Sequence, residues 1–513
     1  MATLRELRDE RLKKLEKLHE LGVNPYPAHT DAASDPDTTP KLTELKNDFA
    51  KYQDRNVGVV GRIIGIRTHG RIAFLTIKEH WETIQVFIEE PALNDADYAA
   101  SELKFSNLNL LDNGDFIEAE GKLTKSRTGE ITVNAAKIKI LSKSLRPIPT
   151  TWDGFSNKEE RFRRRYLDTN VNKVVYDRFI RRSHFWQSTR EFLLSNGFIE
   201  INIPVLETTT GGADATPFIT HMDALDQDFY LRISHELPLK RLLVAGYEKV
   251  FDIGPRFRNE NYSDEHLPEH ISMEWYWAYA DWEVGMKFTE RLLRFVADKT
   301  WATRTFSLAN NVEVNLGDNN SSWPKLSFVD EMKKEYGLDV LNSSMEEIKD
   351  QLVKHKLEVE QTENRMRSVD KLWKKLRTSI IGPAFMVDIP AYLQPLAKTQ
   401  PDNPQLSEQF NLIMAGTEMC KAYSELNDPV EQLKRFKEQQ QLRQAGDKEA
   451  QMLDIDYIEA LEYAMPPACG FGYSERLFWV LEGVTAREGV PFPQMRREID
   501  STTANLYKDI DLG

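Results

Sequence analysis

Four polar side chains within one short stretch have the types and spacing to do chemistry together. From Val250 to Glu260 the residues alternate, with Phe251, Ile253 and Phe257 on one side and Asp252, Arg256, Arg258 and Glu260 on the other. From Ile271 to Ala280 the alternation repeats: Glu274 and Tyr276 share a face, and Trp275, Trp277 and Tyr279 take the opposite one. Between them runs a polar loop, Asn261 to His270, with Asn, Ser, Asp and Pro where a turn needs them. An antiparallel hairpin therefore presents Arg258, Glu260, Glu274 and Tyr276 on a single surface. A guanidinium fork suits a carboxylate or a phosphate, and a neighbouring carboxylate accepts from an amine. A surface hairpin with an ordinary salt bridge satisfies the same pattern. His266 and His270 stand at a spacing that zinc can use, but with no third ligand in view they read as ring stacking or loop packing.

The elements that must position these groups belong to a long chain of ordinary soluble composition. Its 513 residues imply two or three domains, with 41% hydrophobic and 29% charged residues. No apolar run approaches the roughly 18 residues of a membrane span, and the N-terminus lacks a signal-peptide core. Two cysteines, Cys420 and Cys469, imply no disulfide framework and fit a reducing cytoplasm. The balance of 67 basic against 81 acidic residues gives −14, a mild argument against a polyanionic partner unless basic groups cluster locally.

Residues 4–21 read as an amphipathic helix with leucines mostly three apart, Gly22 as its stop, and Arg5, Arg8, Arg11, Lys13, Lys14 and Lys17 on its outer face. A solvated face and a nucleic-acid contact are equal readings of that stripe. A linker follows to Pro40. From Val57 to Lys143 short alternating strands with Gly-containing turns predict a small closed barrel of the five-stranded OB type. Such barrels stack single-stranded bases on aromatics beside basic residues. Arg62, Arg67, Arg71, Phe74, Gln85 and Phe87 are of the right kinds, though each also reads as an ordinary barrel residue.

The FRNE run at 257–260, with its loop and second strand, resembles motif 2 of the class II aminoacyl-tRNA synthetases. The longer run from GGADATPF at Gly211 through MEWYWAYAD, ending at Asp281, is most similar to the lysyl-tRNA synthetases. GRIIGIRTHGRIAFLTI, IQVFI and GKLTKSRTGEITV are similar to the anticodon-binding barrel of that family, although its turn differs in reading IKEHWETIQ. The resemblance implies an α+β protein: an N-terminal five-stranded OB-type β-barrel and a class II catalytic domain, an antiparallel sheet flanked by helices. The implied boundaries are 1–50 for the N-terminal helix and linker, 51–145 for the barrel, 146–175 for the interdomain segment and 176–513 for the catalytic domain. Within the last, about 330–380 reads as an outlying charged helical insertion. Arg161, Arg163, Arg164 and Arg165 read equally as a tRNA contact and as an interdomain salt-bridge set. The helix near 177–195 and the strand 198–204 resemble motif 1, which builds a dimer interface.

The same resemblance assigns roles. Arg258 would bridge the lysine carboxylate and the ATP α-phosphate, Glu260 would read the adenine amino group, and Arg476, in the motif-3-like PPACGFGYSERLFWVL, would hold the triphosphate. Gly212 would belong to the loop over the amino acid, and Glu236 would hold the α-ammonium. Glu425, in GTEMCKAYSELNDP, would take the ε-ammonium with Tyr276 completing its hydrogen bonds, and Asn427 would join the lysine site. His266 and Glu418 would touch ATP, and Glu418 would ligate Mg2+ with Asn411, which replaces a family glutamate. Lys421 replaces a family asparagine, and Glu265 stands where an arginine is common. The motif-3 turn is one residue short. Phe74 would stack on an anticodon base, beside Arg67 and Gln85. The expectation is a cytoplasmic, homodimeric lysine--tRNA ligase that uses ATP, Mg2+, L-lysine and tRNA(Lys) and touches no membrane. A ligase that lysylates a translation factor, and a tRNA-binding paralogue with impaired catalysis, are the alternatives; aspartyl or asparaginyl specificity is disfavoured because Glu425 would repel an acidic side chain.

Overall fold

The structure, a computed structural model, describes residues 3–32, 40–148, 157–261, 263–308, 312–359, 364–447, 449–508 and 510. Residues 33–39 of the expected linker before Pro40, and residues 149–156 of the interdomain segment, lie outside them. The chain divides into two compact units, 1–173 with 495–513, and 174–494.

In the first unit five strands close a barrel in the order β1-β2-β3-β5-β4. They are β1 (Asn56–His69), β2 (Ile72–Glu79), β3 (Glu82–Glu89), β4 (Phe116–Lys125) and β5 (Ile131–Ser142). Period-two alternation sends Val57, Val59, Ile63, Leu75, Ile77 and Val86 inward. Leu18 of the helix Leu4–Glu20 joins that core. Two of that helix's basic residues are structural: Arg11 donates to Ser144 O at 3.1 Å and Asn113 O at 2.9 Å, and Lys14 pairs with Asp112 at 2.7 Å. The sequence puts 495–513 with the catalytic domain, whereas the structure packs it with the barrel unit. The arginines near 163 are the reason: Arg163 donates to Arg496 O at 2.7 Å and Arg164 pairs with Asp500 at 2.7 Å. Arg161 and Arg165 both pair with the buried Asp168, at 2.9 and 2.8 Å.

The second unit is built on an eight-stranded sheet. Its strands in chain order, with those of two small ribbons, are β6 (Ile199–Glu200), β7 (Leu206–Glu207), β8 (Ile219–Met222), β9 (Gln227–Leu231), β10 (Lys249–Phe257), β11 (Glu269–Ala278), β12 (Thr305–Ser307), β13 (Glu313–Asn315), β14 (Lys325–Ser327), β15 (Ala384–Val387), β16 (Gln409–Met414), β17 (Thr417–Ser424) and β18 (Ala468–Ser474). The sheet order is β14-β15-β16-β17-β18-β11-β10-β6, antiparallel except at its two outer pairs. The strand expected over 198–204 shortens to Ile199–Glu200, because the Asn202 side chain turns to donate to Asp252 at 2.9 Å.

The helices Lys173–Ser195, Trp282–Trp301 and Arg476–Glu482 bury one face of this sheet, with Phe185, Phe288, Leu292 and Phe478 meeting Trp275 and Phe471. Asp281 caps the second of them, accepting from Val284 N at 2.8 Å. The charged segment near 330–380 is helical as expected but not outlying. Its helices Phe328–Tyr336, Met345–Lys354 and Arg365–Leu376 present Met332, Leu352, Leu372 and Trp373 to Met386 and Ile413 of the sheet. Their charges occupy the opposite faces, which is why composition alone reads the segment as solvent-facing. Among the described residues no helix is long and apolar enough to cross a membrane.

Candidate active site

The uncovered face of the sheet carries its polar side chains in two cross-strand rows. One row runs Asn411, Lys421, Gly472, Glu274 and Asp252; the next runs Gln409, Tyr423, Gly470, Tyr276 and Val250. A side chain at Gly470 would force its neighbours to shift, since a Cβ there would lie 2.0 Å from Glu425 Oε1 and 2.4 Å from the Tyr276 ring. The glycine opens the floor of a cavity of about 560 Å³, within the range of small-molecule sites. Gly212, Glu236, Arg258, Glu260, His266, Tyr276, Asn411, Glu418 and Arg476 all line it. Gly212 has φ of +81°, and a Cβ there would meet the Glu236 Cβ at 2.7 Å, so only glycine lets this loop approach.

One end of the cavity is cationic. Arg256, Arg258, Arg377 and Arg476 line it together. Burial and the neighbouring Arg258 charge lower Arg256 to about 10. Burial, with Arg476 and Arg258 beside it, lowers His266 to about 4, so its ring is neutral at pH 7. His266 Nδ1 lies 2.9 Å from Ser263 Oγ, and His270 Nδ1 lies 3.2 Å from Leu267 O. No group of three metal-ligating side chains occurs among the described residues. Arg476 opens the helix Arg476–Glu482 and donates to Glu265 O at 3.4 Å and Glu418 O at 3.5 Å. The strand β10 ends at Phe257, so Arg258 and Glu260 stand just beyond the paired hairpin, with Arg258 N donating to Pro268 O at 2.8 Å.

The other end is anionic. Glu236 sits at the start of the helix Glu236–Val244 and accepts from Tyr423 Oη at 2.7 Å and Lys240 Nζ at 2.6 Å. Glu274 accepts from Ser234 Oγ at 2.9 Å and Arg256 Nη1 at 3.3 Å. Burial pushes the Glu274 carboxyl up, but Arg256 and the other donors hold it below the usual carboxylate range. Behind it, His235 bridges Asp252 at 3.0 Å and Ser272 at 3.1 Å, and its N–H donates to Glu274 at 3.1 Å. This trio has the outline of a hydrolytic triad, yet Ser272 and His235 are fully buried, so it acts as a strut for Glu274.

Three sequence expectations differ from the structure. Glu425 does not line the cavity; it is 1% exposed and ion-paired with Lys240. Tyr276 donates to Glu274 at 3.1 Å, not to Glu425, because both side chains point from the same face of β11. Asn427 also lies off the cavity and donates to Met465 O at 3.0 Å, tying its loop to the segment before β18. Sequence reasoning passed over Arg256, Lys240, Tyr423 and the helix Arg365–Leu376, whose Arg367 and Lys374 line the cavity. The alternation placed Arg256 on the working face, and that was the available signal; nothing local marks the others.

The expected magnesium pair does not fit as arranged. Asn411 Nδ2 donates to Glu418 Oε2 at 2.8 Å, and Asn411 Oδ1 accepts from Gln409 Nε2 at 2.7 Å. A hard cation needs oxygen donors, and here the amide turns its hydrogens to the one carboxylate. On the barrel, the bulge in β1 between Ile63 and Gly65 sets Arg67 opposite Phe74, and Phe74 opposite Phe87 with rings 5.1 Å apart. Gln85, two residues from Phe87 on the same face, accepts from Thr132 at 3.2 Å and donates to Glu130 at 2.9 Å. Arg62 is tied down over the Phe116 ring at 4.2 Å, and Arg71 pairs with Glu90.

Residues 157–496 match the model of the class II tRNA synthetases for D, K and N, and residues 57–141 match an OB-fold nucleic acid binding domain. The fold and the cavity are thus those of a class II aminoacyl-tRNA synthetase. The lysine--tRNA ligase of Thermosipho melanesiensis is 40% identical over 96% of this chain and 96% of its own. Those of Fervidobacterium nodosum, at 39% over 99% and 97%, and Thermotoga maritima, at 38% over 96% and 96%, are similarly close. The chain belongs to the lysine--tRNA ligase family.

Proposed function

We propose that the protein activates L-lysine with ATP and transfers the lysyl group to tRNA(Lys). The observation that carries this reading is a single cavity lined by four arginines, Arg256, Arg258, Arg377 and Arg476, and by the carboxylates Glu236 and Glu274, the two groups meeting where Arg256 pairs with Glu274. A lysine carries ammonium groups and a carboxylate, and ATP carries four negative charges near neutrality. An extended lysyl-adenylate therefore matches the cavity's polarity from end to end.

The lysine carboxylate attacks the α-phosphorus in line and pyrophosphate leaves. A free α-carboxyl has a pKa of about 3.5, so no general base is needed at neutral pH. The protein's work is orientation and charge neutralisation. In this reading Arg258 bridges the carboxylate and the α-phosphate, Arg476 holds the triphosphate, and Arg256 keeps Glu274 ionised. Glu260 and the neutral His266 meet the adenine. Glu236 and Glu274 receive ammonium, with Tyr276, Tyr423 and Gly212 shaping the space. The terminal ribose hydroxyl of tRNA then attacks the adenylate carbonyl and AMP leaves. Magnesium bound to the ATP phosphates would add charge neutralisation there. Phe74, Arg67 and Gln85 meet anticodon bases on the barrel's outer face. A homodimer fits the exposed apolar side chains Leu194, Ile199, Leu206, Ile219 and Leu225 of the second unit, and a cytoplasmic site fits the two free buried cysteines.

One observation favours a second reading, impaired catalysis: the amide of Asn411 occupies the carboxylate of Glu418. Purified protein with lysine, ATP, magnesium and labelled pyrophosphate separates the two. Lysine-dependent exchange followed by charging of tRNA(Lys) is the expected result. Exchange without charging would point to lysylation of a protein, and no exchange would leave only the impaired paralogue.

A further inference from the structure

The carboxylate that sequence reasoning gives to the substrate's side-chain ammonium already has an ammonium of the chain's own. Lys240 is fully buried, donates to Glu236 Oε1 at 2.6 Å and pairs with Glu425 Oε2. Its Nζ also lies 6.0, 5.6 and 5.8 Å from the ring centroids of Tyr276, Tyr423 and Tyr457. Two carboxylates and three aromatic rings make a complete ammonium cage. The charges within it do not balance, since Glu236 and Glu425 share one cation. Glu425 Oε1 is buried and accepts no hydrogen bond among the described residues. What separates that oxygen from the cavity is Gly470, which lines the cavity and has no side chain to block the approach.

We infer that Lys240 is a specificity-determining, positioning residue for lysine activation: its ammonium pairs with Glu236 and Glu425 and fixes them in place, and leaves a deficit of one positive charge that the substrate's side-chain ammonium fills. The inference rests on the lysine reading given above. With the substrate's side-chain ammonium bound, it and Lys240 face Glu236 and Glu425 and these four charges balance, while Glu274 beside them meets the α-ammonium. A neutral side chain of the same length leaves the deficit uncompensated in a site sealed from water, which is strongly unfavourable. Lys240 thus converts a doubly anionic pocket, which would bind stray protons or cations, into one that is short by a single charge.

The groups facing this cluster come from five directions. Glu236 and Lys240 lie on the helix Glu236–Val244, Glu274 and Tyr276 on β11, and Tyr423 and Glu425 on and just after β17. Tyr457 comes from the helix Ile455–Glu462 and Cys469 from β18, while Arg256 of β10 pairs with Glu274. Burial pushes the Glu425 carboxyl well above the usual carboxylate range and raises Glu236 as well, and the Lys240 ammonium is the strongest influence pulling each back down. Removing that ammonium therefore favours a proton on the pair, and lysine must then expel it to bind.

The test compares wild type, Lys240→Met and the double variant Lys240→Met/Glu425→Gln by lysine-dependent pyrophosphate exchange across pH. Lys240→Met is expected to raise the KM for lysine about tenfold or more at pH 7, with kcat and the KM for ATP within a few-fold. Its acid limb in kcat/KM for lysine is expected to move up by about one pH unit or more. The double variant removes both charges, so it is expected to return the limb to the wild-type position or below it while keeping a raised KM. An unmoved limb in Lys240→Met, or a loss shared equally by kcat and both substrates, overturns the inference. Should the single variant not fold, the double variant decides alone: a limb above that of wild type overturns the inference, and one at or below it supports it. Failure of the wild type itself to exchange with lysine would strike the parent reading instead.

Discussion

The two ends of the cavity solve opposite electrostatic problems with different materials. The cationic end uses arginines on a strand end, a loop, a helix start and an added helix: Arg256, Arg258, Arg476 and Arg377. Burial first, and then the neighbouring guanidinium charges, lower Arg256 and Arg476, so the cluster favours an anion. The anionic end is buried deeper and cannot tolerate a bare surplus. It is therefore internally compensated, Glu274 by Arg256 and Glu236 with Glu425 by Lys240. A site for a polyanion can stay exposed to water and wait. A site for an ammonium inside protein must be nearly neutral before its ligand arrives.

The sharpest break of this contrast comes from one substitution at each end. Arg476→Ala should cut lysine-dependent exchange about a thousandfold, with ATP affinity lost and lysine affinity retained. Glu236→Gln should do the reverse, losing lysine affinity while keeping ATP, as calorimetry with each ligand alone would report. If both variants lose both ligands, the two ends are not separate.

A smaller effect sharpens the anionic end. Gly470→Ala puts a methyl group onto Glu425 and Tyr276, so the KM for lysine should rise about a hundredfold with folding preserved, read by exchange and thermal unfolding together. An unchanged KM would mean that the floor yields.

Outside the cavity, Phe74→Ala removes a stacking platform worth about 1–3 kcal/mol per base. The KM for tRNA(Lys) should rise about tenfold, and pyrophosphate exchange, which needs no tRNA, should not change.

The smallest effect tests the internal compensation. The Glu274 carboxyl is held below its ordinary value in the folded state, so its ion pair adds stability above the unfolded pKa of about 4.3 and loses it as pH falls through the folded value. The melting-temperature gap between wild type and Glu274→Gln should therefore stay constant from pH 7 down to about 4.3 and narrow as pH falls below it. A gap constant with pH would show that the pair is not what holds Glu274.

Much of this was legible in the chain. The alternation at 250–260 and 271–280 gave the hairpin and its polar face, because side-chain direction in a strand follows from backbone pleat alone. The barrel strands were legible for the same reason. Glu425 shows where such reading stops: its motif names a carboxylate in a pocket, but not that Lys240, on a helix far away in sequence, pairs with it first. Asn427 was drawn to the substrate by its neighbours in the chain, and the fold sends it instead to Met465 O. The helix Arg365–Leu376 looked like a solvated insertion because charge dominates its composition, while its apolar stripe is spent on the sheet.

By itself, then, the sequence determined the strands, the caps, the family motifs and which residue types meet the substrates, since all of these are local or are carried by short runs. Only the tertiary structure decided the charge balance of the pocket. Partners such as Lys240 and Glu425, or Asn411 and Gln409, are fixed by strand register and helix packing, and the energy of a buried charge depends on its partners more than on its own identity.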